Sequence, residues 1–453
     1  MLLALAVATL LLWWGLTVDW ALGVRSMATL RRANVPEPAR WPALSVVIPA
    51  RDEAPALETT LESLLRQELP GLEVVVVDDR SHDATRAIAE RVAGRDERVR
   101  VLGIDALPAG WLGKTHALQR GADAANGDWL LFADADVRFA PGALRRALVY
   151  ALSRELDHLV VLPRLEARGA LLRSFVAAFG LLFSVYTRPW RARDPRSRAA
   201  IGIGAFGLVR RHAYRAVGGH TAIRLRPDDD LSLGRLLKHG GCRQEAVFGA
   251  DDVAVEWYPD LGAALRGLNK NAFAGMGYST LRVAAVVVAL LLTNVLPFVL
   301  LPFVGGPVRW VNALVVATVA FVYAFDAPRL RHGAWLFVLH PVGTTLLAYA
   351  AAASAAKAPS CGSARPLRWK AGTRPGARGD ARARTGRVRG TRTIAQASTA
   401  DALPNPRALR SLASTRGATT TPRADRHPRS AQGTPAPTYT APCRTAPGRT
   451  GPC

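Results

Sequence analysis

The first 24 residues, MLLALAVATLLLWWGLTVDWALGV, carry one charged side chain, Asp19. That limits the fold before anything else does. In hydrocarbon every backbone N–H and C=O must be satisfied within the segment, so such a run crosses a bilayer as a helix, and about 20 residues suffice. A secretory signal is the alternative, but no basic residue precedes the run and the apolar stretch is long for a signal's core, so it reads as an uncleaved anchor over 1–24. Arg25, Arg31 and Arg32 follow it. The positive-inside rule then puts the next part of the chain on the cytoplasmic face of the cell membrane. Asp19, near the end of the run, is tolerable at the interface.

A second apolar block covers 283–356, with breaks at Gly305-Gly306-Pro307 and at Pro328-Arg329-Leu330-Arg331. It divides into about three spans, near 283–304, 309–325 and 334–356. A third stretch, 175–187 (FVAAFGLLFSVYT), is too short to cross. Arginines flank it on both sides, which suits a helix lying in the membrane interface, and a buried core helix reads the same way.

The net charge of +24 is concentrated at one end. Residues 357–453 hold 19 Lys and Arg against 3 Asp. There Ala, Arg, Thr, Pro and Gly dominate and apolar periodicity stops, so the segment is expected to be a disordered basic tail. The high charge is therefore weak evidence for nucleic-acid binding by the folded part, and no nucleic-acid partner is expected. The four cysteines, Cys242, Cys361, Cys443 and Cys453, show no metal-ligand spacing.

Residues 44–278 read as a domain in which buried strands alternate with helices. Strands are expected at 45–49, 72–77, 99–102 and 129–133, with helices at 53–67, 84–92 and 115–125 between them. That alternation argues for an α/β fold with a mostly parallel sheet. Ligands of such sheets bind beyond the carboxyl ends of the strands. The polar clusters Arg51-Asp52-Glu53, Asp78-Asp79-Arg80-Ser81 and Asp134-Ala135-Asp136 fall there.

Asp134 and Asp136 follow a strand and can face one pocket. Mg²⁺ takes such oxygen ligands and bridges to substrate phosphates, although a solvated loop would look alike. Asp79 is placed to meet a base or ribose, while Ser81 or Asp83 caps the following helix. Asp228-Asp229-Asp230 opens a helix with Leu231, Leu233, Leu236 and Leu237 on a helical spacing. The acids suit the helix dipole, and a carboxylate there is also a candidate general base for a hydroxyl nucleophile. Gly202-Ile203-Gly204-Ala205-Phe206-Gly207 matches GxGxxG, but no strand and acidic residue frame it as a dinucleotide site. His82, His116 and His220 are not at ligand spacing.

Taken in order, these motifs resemble the family 2 glycosyltransferases of GT-A fold, from about Ser45 to Tyr278. Val46-Val47-Ile48-Pro49-Ala50-Arg51-Asp52-Glu53 is similar to the family's first strand and nucleotide loop. Asp78-Asp79 is similar to its second motif, Asp134-Ala135-Asp136 to its metal-binding DxD, and Asp229-Asp230 to its acidic pair. Gly110-Trp111-Leu112-Gly113-Lys114 and Leu208-Val209-Arg210-Arg211-His212-Ala213-Tyr214 with Gly218-Gly219-His220 resemble the branch that glycosylates lipids, including the hopanoid-associated, carotenoid and ceramide types. The resemblance implies a membrane enzyme of hexosyltransferase type, with a GT-A nucleotide-sugar-binding domain plus one N-terminal and about three C-terminal membrane helices. It would transfer a sugar from a nucleotide-sugar donor, UDP-linked by resemblance, to a lipid acceptor by an inverting, metal-dependent mechanism. Pro49, Ala50, Arg51, Glu53, Asp79, Lys114 and Asp134 would hold the nucleotide. Asp134 and Asp136 would bind Mg²⁺ or Mn²⁺, and Asp230 with Asp229 would be catalytic. The QxxRW motif of processive synthases is missing, with Leu268-Asn269-Lys270-Asn271 in its place. A polymer-extruding synthase and an inactive membrane scaffold are the rival readings.

Overall fold

The computed structural model describes residues 1–33, 36–276 and 278–357, so the expected tail lies, apart from Lys357, outside the described residues. Helix α1 (Leu2–Arg25) leads to a domain that begins β1 (Leu44–Ala50), α2 (Ala54–Leu65), β2 (Leu72–Asp79), α3 (Thr85–Ala93), β3 (Val99–Ile104), α4 (Gly113–Ala124) and β4 (Trp129–Phe132). It continues through β5 (Val137–Phe139), α5 (Ala143–Ser153), β6 (His158–Leu162), β7 (Arg164–Glu166) and α6 (Ala170–Thr187). Next come β8 (Gly207–Arg210), α7 (Arg211–Ala216), α8 (Asp229–His239), β9 (Gln244–Phe248), β10 (Val253–Glu256) and α9 (Leu261–Gly275). The last helices are α10 (Thr280–Leu290), α11 (Leu296–Leu300), α12 (Gly306–Leu330) and α13 (His340–Lys357).

Seven strands form the main sheet in the order β3-β2-β1-β4-β8-β6-β9. Pairing is parallel between β3 and β2, β2 and β1, β1 and β4, and β6 and β9; β8 alone runs antiparallel to its neighbours. Val74 to Val77 can be continuously apolar because both faces of the sheet are covered. On one side Val46, Ile48, Val74 and Val76 pack with Leu57, Leu61 and Leu64 of α2 and Ile88 and Val92 of α3. On the other, Val47 and Leu130 pack with Leu118 of α4 and Leu233 and Leu237 of α8. This is the expected GT-A-like α/β architecture. The chain leaves β1 toward β2 and β3, then returns to place β4 on the opposite side of β1. The strand order reverses there, and the loops beyond the ends of β1, β2 and β4 converge. A small sheet, β5-β10-β7, stands beside the main one.

Among the described residues, five helical segments are long and apolar enough to cross a bilayer: Leu2–Arg25, Ala170–Arg191, Thr280–Leu300, Gly306–Leu330 and Ala334–Ala356. The second departs from expectation. Helix α6 starts five residues ahead of the apolar stretch read from the sequence, because Arg173 does not interrupt it: its guanidinium lies over the Trp335 ring, 5.6 Å from the centroid. α12 likewise runs past Pro328 and stops where Arg331 takes a left-handed conformation (φ 60°). Asp19 is neutralised at the end of α6 by ion pairs with Arg188 and Arg191. Buried His340 finds partners on two other helical segments, which lowers the cost of a polar group in apolar surroundings. Tyr323 Oη and His340 Nδ1 are 3.0 Å apart, and His340 Nε2 lies 3.0 Å from Asn294 Oδ1.

Candidate active site

The β1–α2 loop is built on the β2–α3 loop. Asp52, in a left-handed conformation (φ 57°), accepts from the His82 N–H at 2.7 Å, while the Glu53 N–H donates to Thr85 Oγ1 at 2.7 Å. Asp83 accepts from the N–H of Thr85 at 2.9 Å and from that of Ala54 at 3.1 Å, so one carboxylate holds the first residues of both α2 and α3. These bonds aim the Glu53 side chain toward the end of β4. Pro49 and Ala50 belong to β1 itself, and Arg51 stays exposed, 3.9 Å from Asp52. Asp79 is buried and held by its neighbour Arg80, whose Nε lies 2.8 Å from Oδ1.

Lys114, in the first turn of α4, lies at the centre. Its Nζ is 2.7 Å from Asp134 Oδ1 and 3.8 Å from Asp229 Oδ2. The segment before it is moored to the chain ahead of α8, with the Leu112 N–H donating to the Arg224 carbonyl at 3.0 Å and Thr115 Oγ1 donating to the same oxygen at 2.8 Å. Asp230 accepts from two backbone N–H groups, Gly204 at 2.9 Å and Leu231 at 2.6 Å. The Asp134 N–H donates to the Gly204 carbonyl at 3.0 Å. A single residue, Gly204, therefore ties the β4 loop to the start of α8.

The glycine string read from the sequence as an unframed GxGxxG has this physical purpose. A β-carbon on Gly204 would overlap the Asp134 carboxylate, and one on Gly202 would overlap the backbone oxygen of Asp230. From the other side, one on Gly234 of α8 would overlap the Ile201 carbonyl. The loop and the helix thus meet backbone to backbone. Gly202→Ala is expected to lower stability by about 1–3 kcal/mol, visible as a fall in melting temperature in detergent; an unchanged transition would show that the loop yields freely.

Charge is badly balanced here. Glu53, Asp134, Asp136, Asp229 and Asp230 interact electrostatically around the one ammonium of Lys114. Burial, then Asp136 and Asp134, push the Glu53 carboxyl up to about 7. Burial and Asp134 push Asp136 up to about 6. Asp229 and Asp230 are raised by burial against the opposing pull of Lys114. For Lys114 itself desolvation works against the charge, but Asp134, Asp229 and Asp230 outweigh it and hold the ammonium above the ordinary lysine value. Tyr258, which the sequence did not single out, is raised by burial and by Asp136 and Asp134.

Such a cluster can hold a cation. Asp136 Oδ1 is buried with no hydrogen-bond partner, and burial, then Asp134, push its carboxyl up to about 6. A hard divalent ion satisfies both deficits. Among the described residues no three His, Cys, Asp or Glu side chains form a complete metal cage. Asp134 and Asp136 would thus be protein donors in a shell finished by substrate oxygens, which is how Mg²⁺ is commonly held.

Comparison with known proteins follows the same lines. Residues 45–218 match Glycosyl transferase family 2. The 4,4'-diaponeurosporenoate glycosyltransferase of Staphylococcus aureus (strain MRSA252) is 27% identical over 249 residues, which cover 54% of this chain and 65% of that protein. The protein of that description in strain USA300 is 27% identical over 52% of this chain and 62% of its own length. The alignments thus span less than two thirds of these relatives. Among solved structures, a mannosyltransferase from Pyrobaculum calidifontis in complex with GDP-Man and Mn²⁺ is similar, at 20% identity, over 79% of this chain and 98% of that one, with a TM-score of 0.49.

Proposed function

We propose, from the match of residues 45–218 to Glycosyl transferase family 2, that the chain is a membrane-bound glycosyltransferase moving a sugar from a nucleoside-diphosphate donor to a lipid acceptor. The observation that carries the chemistry is the convergence of Glu53, Asp134, Asp136, Asp229 and Asp230 on Lys114, at the strand ends where α/β sheets bind ligands. The lipid acceptor is supported by the apolar helices and by the carotenoid-acid name of the relatives.

In this reading the Glu53 loop and Asp79 hold the nucleoside, and Lys114 lies against the phosphates. Asp134 and Asp136 would hold Mg²⁺ or Mn²⁺, which neutralises a departing diphosphate when bound. Asp230 takes the proton of the acceptor hydroxyl as its oxygen bonds to the anomeric carbon. The bond from that carbon to the diphosphate breaks on the opposite face, and configuration inverts. Asp229 keeps Lys114 oriented. Transfer from a panel of UDP- and GDP-sugars into a membrane lipid extract, read by mass spectrometry, tests the assignment. No glycolipid from any donor would sink it.

The charge imbalance makes a pH prediction. Folding binds protons at Glu53 and Asp136, because their folded pKa values, about 7 and about 6, exceed the ordinary carboxylate range. The metal-free protein should therefore gain stability as pH falls from about 8 to about 5. A divalent ion competes with those protons. Mn²⁺ should raise the melting temperature at pH 8 and do so little near pH 5. Equal shifts at both values would remove these carboxyls from the ion's surroundings.

Orientation follows from the basic ends of the helices. Arg31 Nη2 donates to the Asp251 carbonyl at 2.8 Å, and Arg331 Nε donates to Asp251 Oδ1 at 3.0 Å. The chain following α1 and the carboxyl-terminal end of α12 thus both rest against the β9–β10 turn of the domain. The arginines sit on the domain's side of the membrane, which the positive-inside rule makes cytoplasmic.

A further inference from the structure

The segment Ala334–Ala356 is long and apolar enough to cross a bilayer, but its two ends lie on the same side. It follows Arg331, which holds Asp251 of the catalytic domain through two bonds, at 3.0 and 3.1 Å. From there the chain turns inward. After the 3₁₀ turn Ala334–Leu339, His340 is fully buried beside Trp13 of α1. It meets Tyr323 of α12 and Asn294 of the π-helical turn Leu291–Val295. Tyr323 precedes Arg331 by eight residues, so His340 stands about 12 Å along α12 from the arginine at its end.

α13 then runs back. It starts beside Asn294, toward which α10 leads, and its last turn reaches the place where α10 begins. There Ser354 Oγ accepts from the Phe273 N–H of α9 at 3.1 Å, and Phe273 lies seven residues ahead of Thr280. Midway, Leu347 packs with Ala264 of α9 and with Leu172 and Phe175 of α6. Both of those helices belong to the domain's side. α9 begins five residues after β10. Arg266 on it and Arg282 in the first turn of α10 are exposed, a position that hydrocarbon would penalise. β7 ends four residues ahead of α6, and Ala192, just beyond it, packs with Val160 of β6 and Ala246 of β9. A β-carbon on Gly343 of α13 would overlap the Ser174 carbonyl of α6, the close approach that small residues permit between membrane helices.

We propose that 334–356 is a re-entrant half-span. It enters the bilayer from the face that carries the catalytic domain, turns at His340 and returns to that face without crossing. Among the described residues three crossings remain, Leu2–Arg25, Thr280–Leu300 and Gly306–Leu330. Lys357, Arg365, Arg368 and Lys370 follow the half-span. On this path they share a side with Arg31 and Arg331, as the positive-inside rule favours, whereas a fourth crossing would put them opposite. α6, α9 and α13 together make a surface that fits the domain-side leaflet of the bilayer, and Trp257 and Tyr258 after β10 belong to the same apolar cluster. Only the name of that side, cytoplasmic, rests on the orientation proposed above.

The test uses the full chain in sealed membrane vesicles of both orientations and a membrane-impermeant maleimide polymer. The background carries Cys242→Ser, Cys361→Ser, Cys443→Ser and Cys453→Ser, and one cysteine is present at a time. Cys361, restored alone, is expected to show a mass shift in inside-out vesicles and to lose it in right-side-out ones. Glu97→Cys, exposed on the catalytic domain, should behave the same way. Gly305→Cys, ahead of α12 and with open space around its β-carbon, should show the opposite pattern. Cys361 reacting on the side of Gly305→Cys would overturn the proposal. So would Gly305→Cys reacting on the side of Glu97→Cys, since α10 and α12 would then not cross. Cys361 and Glu97→Cys reacting together in right-side-out vesicles only, with Gly305→Cys opposite, would keep the re-entrant path and discard the cytoplasmic orientation. If the substituted background fails to fold, an epitope added after Cys453 of the wild-type chain decides in its place. Antibody should reach it in inside-out vesicles, and binding in right-side-out vesicles, with the domain inaccessible there, would overturn the path.

Discussion

Asp230→Asn is expected to lower sugar transfer to a hydroxyl acceptor by about 10²–10⁴-fold, the usual loss on removing a general base. The variant is informative because the site should survive it. Asparagine keeps the shape of the side chain, and its carbonyl can still accept from Gly204 or Leu231, the two N–H groups that fix the carboxylate. One of those bonds is lost, so a stability decrease of about 1 kcal/mol is expected, far less than the loss in rate. Nucleotide binding should be kept. The nature of the acceptor adds a second readout. An acceptor carboxylate arrives without a proton, so it should be much less sensitive to Asp230→Asn than a hydroxyl. Near wild-type turnover on a hydroxyl acceptor would take the base role away from Asp230, and a larger loss in Asp229→Asn would transfer it to the neighbour.

The second large effect concerns the cation. EDTA should abolish transfer, and Mg²⁺ or Mn²⁺ should restore it. Asp136→Asn should lower the rate by about 10²–10³-fold, which corresponds to losing several kcal/mol of charge stabilisation at the leaving group. The reasoning starts from Asp136 Oδ1, buried and unpartnered, in a cluster where carboxylates outnumber ammonium groups. Burial and mutual repulsion raise the Glu53 and Asp136 carboxyls, and a bound cation is expected to keep them ionised at neutral pH. Lys114→Ala is a useful contrast. It removes the positive charge 2.7 Å from Asp134, so it should weaken donor binding, yet titration of Mn²⁺ should show equal or tighter binding because Asp134 is released. Full activity in EDTA would refute the metal requirement, and loss of Mn²⁺ affinity in Lys114→Ala would show that the ammonium organises the metal ligands instead of competing for them.

Some of this architecture is written locally along the chain. The run of four valines in β2 is possible only in a strand covered on both faces, and the structure covers it with α2 and α3 on one side and the α4 layer on the other. Leu57, Leu61 and Leu64 announce the buried face of α2 by spacing alone. Asp83 reads as a residue that holds the start of α3, and from one position ahead of the cap it accepts from the Thr85 N–H. Other features have no local signature. The 175–187 stretch looked too short to cross because an arginine next to an apolar run normally ends it. The Trp335 ring that accommodates Arg173 lies far along the chain. Gly202 and Gly204 matched a motif string, but their meaning depends on α8 and the β4 loop, which the string does not contain.

Periodicity, apolar length and the placement of acids after strands are properties of neighbouring residues, and from them follow the layered α/β domain, the membrane-length helices and the candidate carboxylates. Partnership is another matter. That Lys114 faces Asp134 and Asp229, that Gly204 links Asp134 to Asp230, and that His340 meets Asn294 are decided only when distant segments pack. Electrostatic and hydrogen-bond energies fall steeply with separation in space and are blind to separation along the chain, so only the folded arrangement says which charges answer one another.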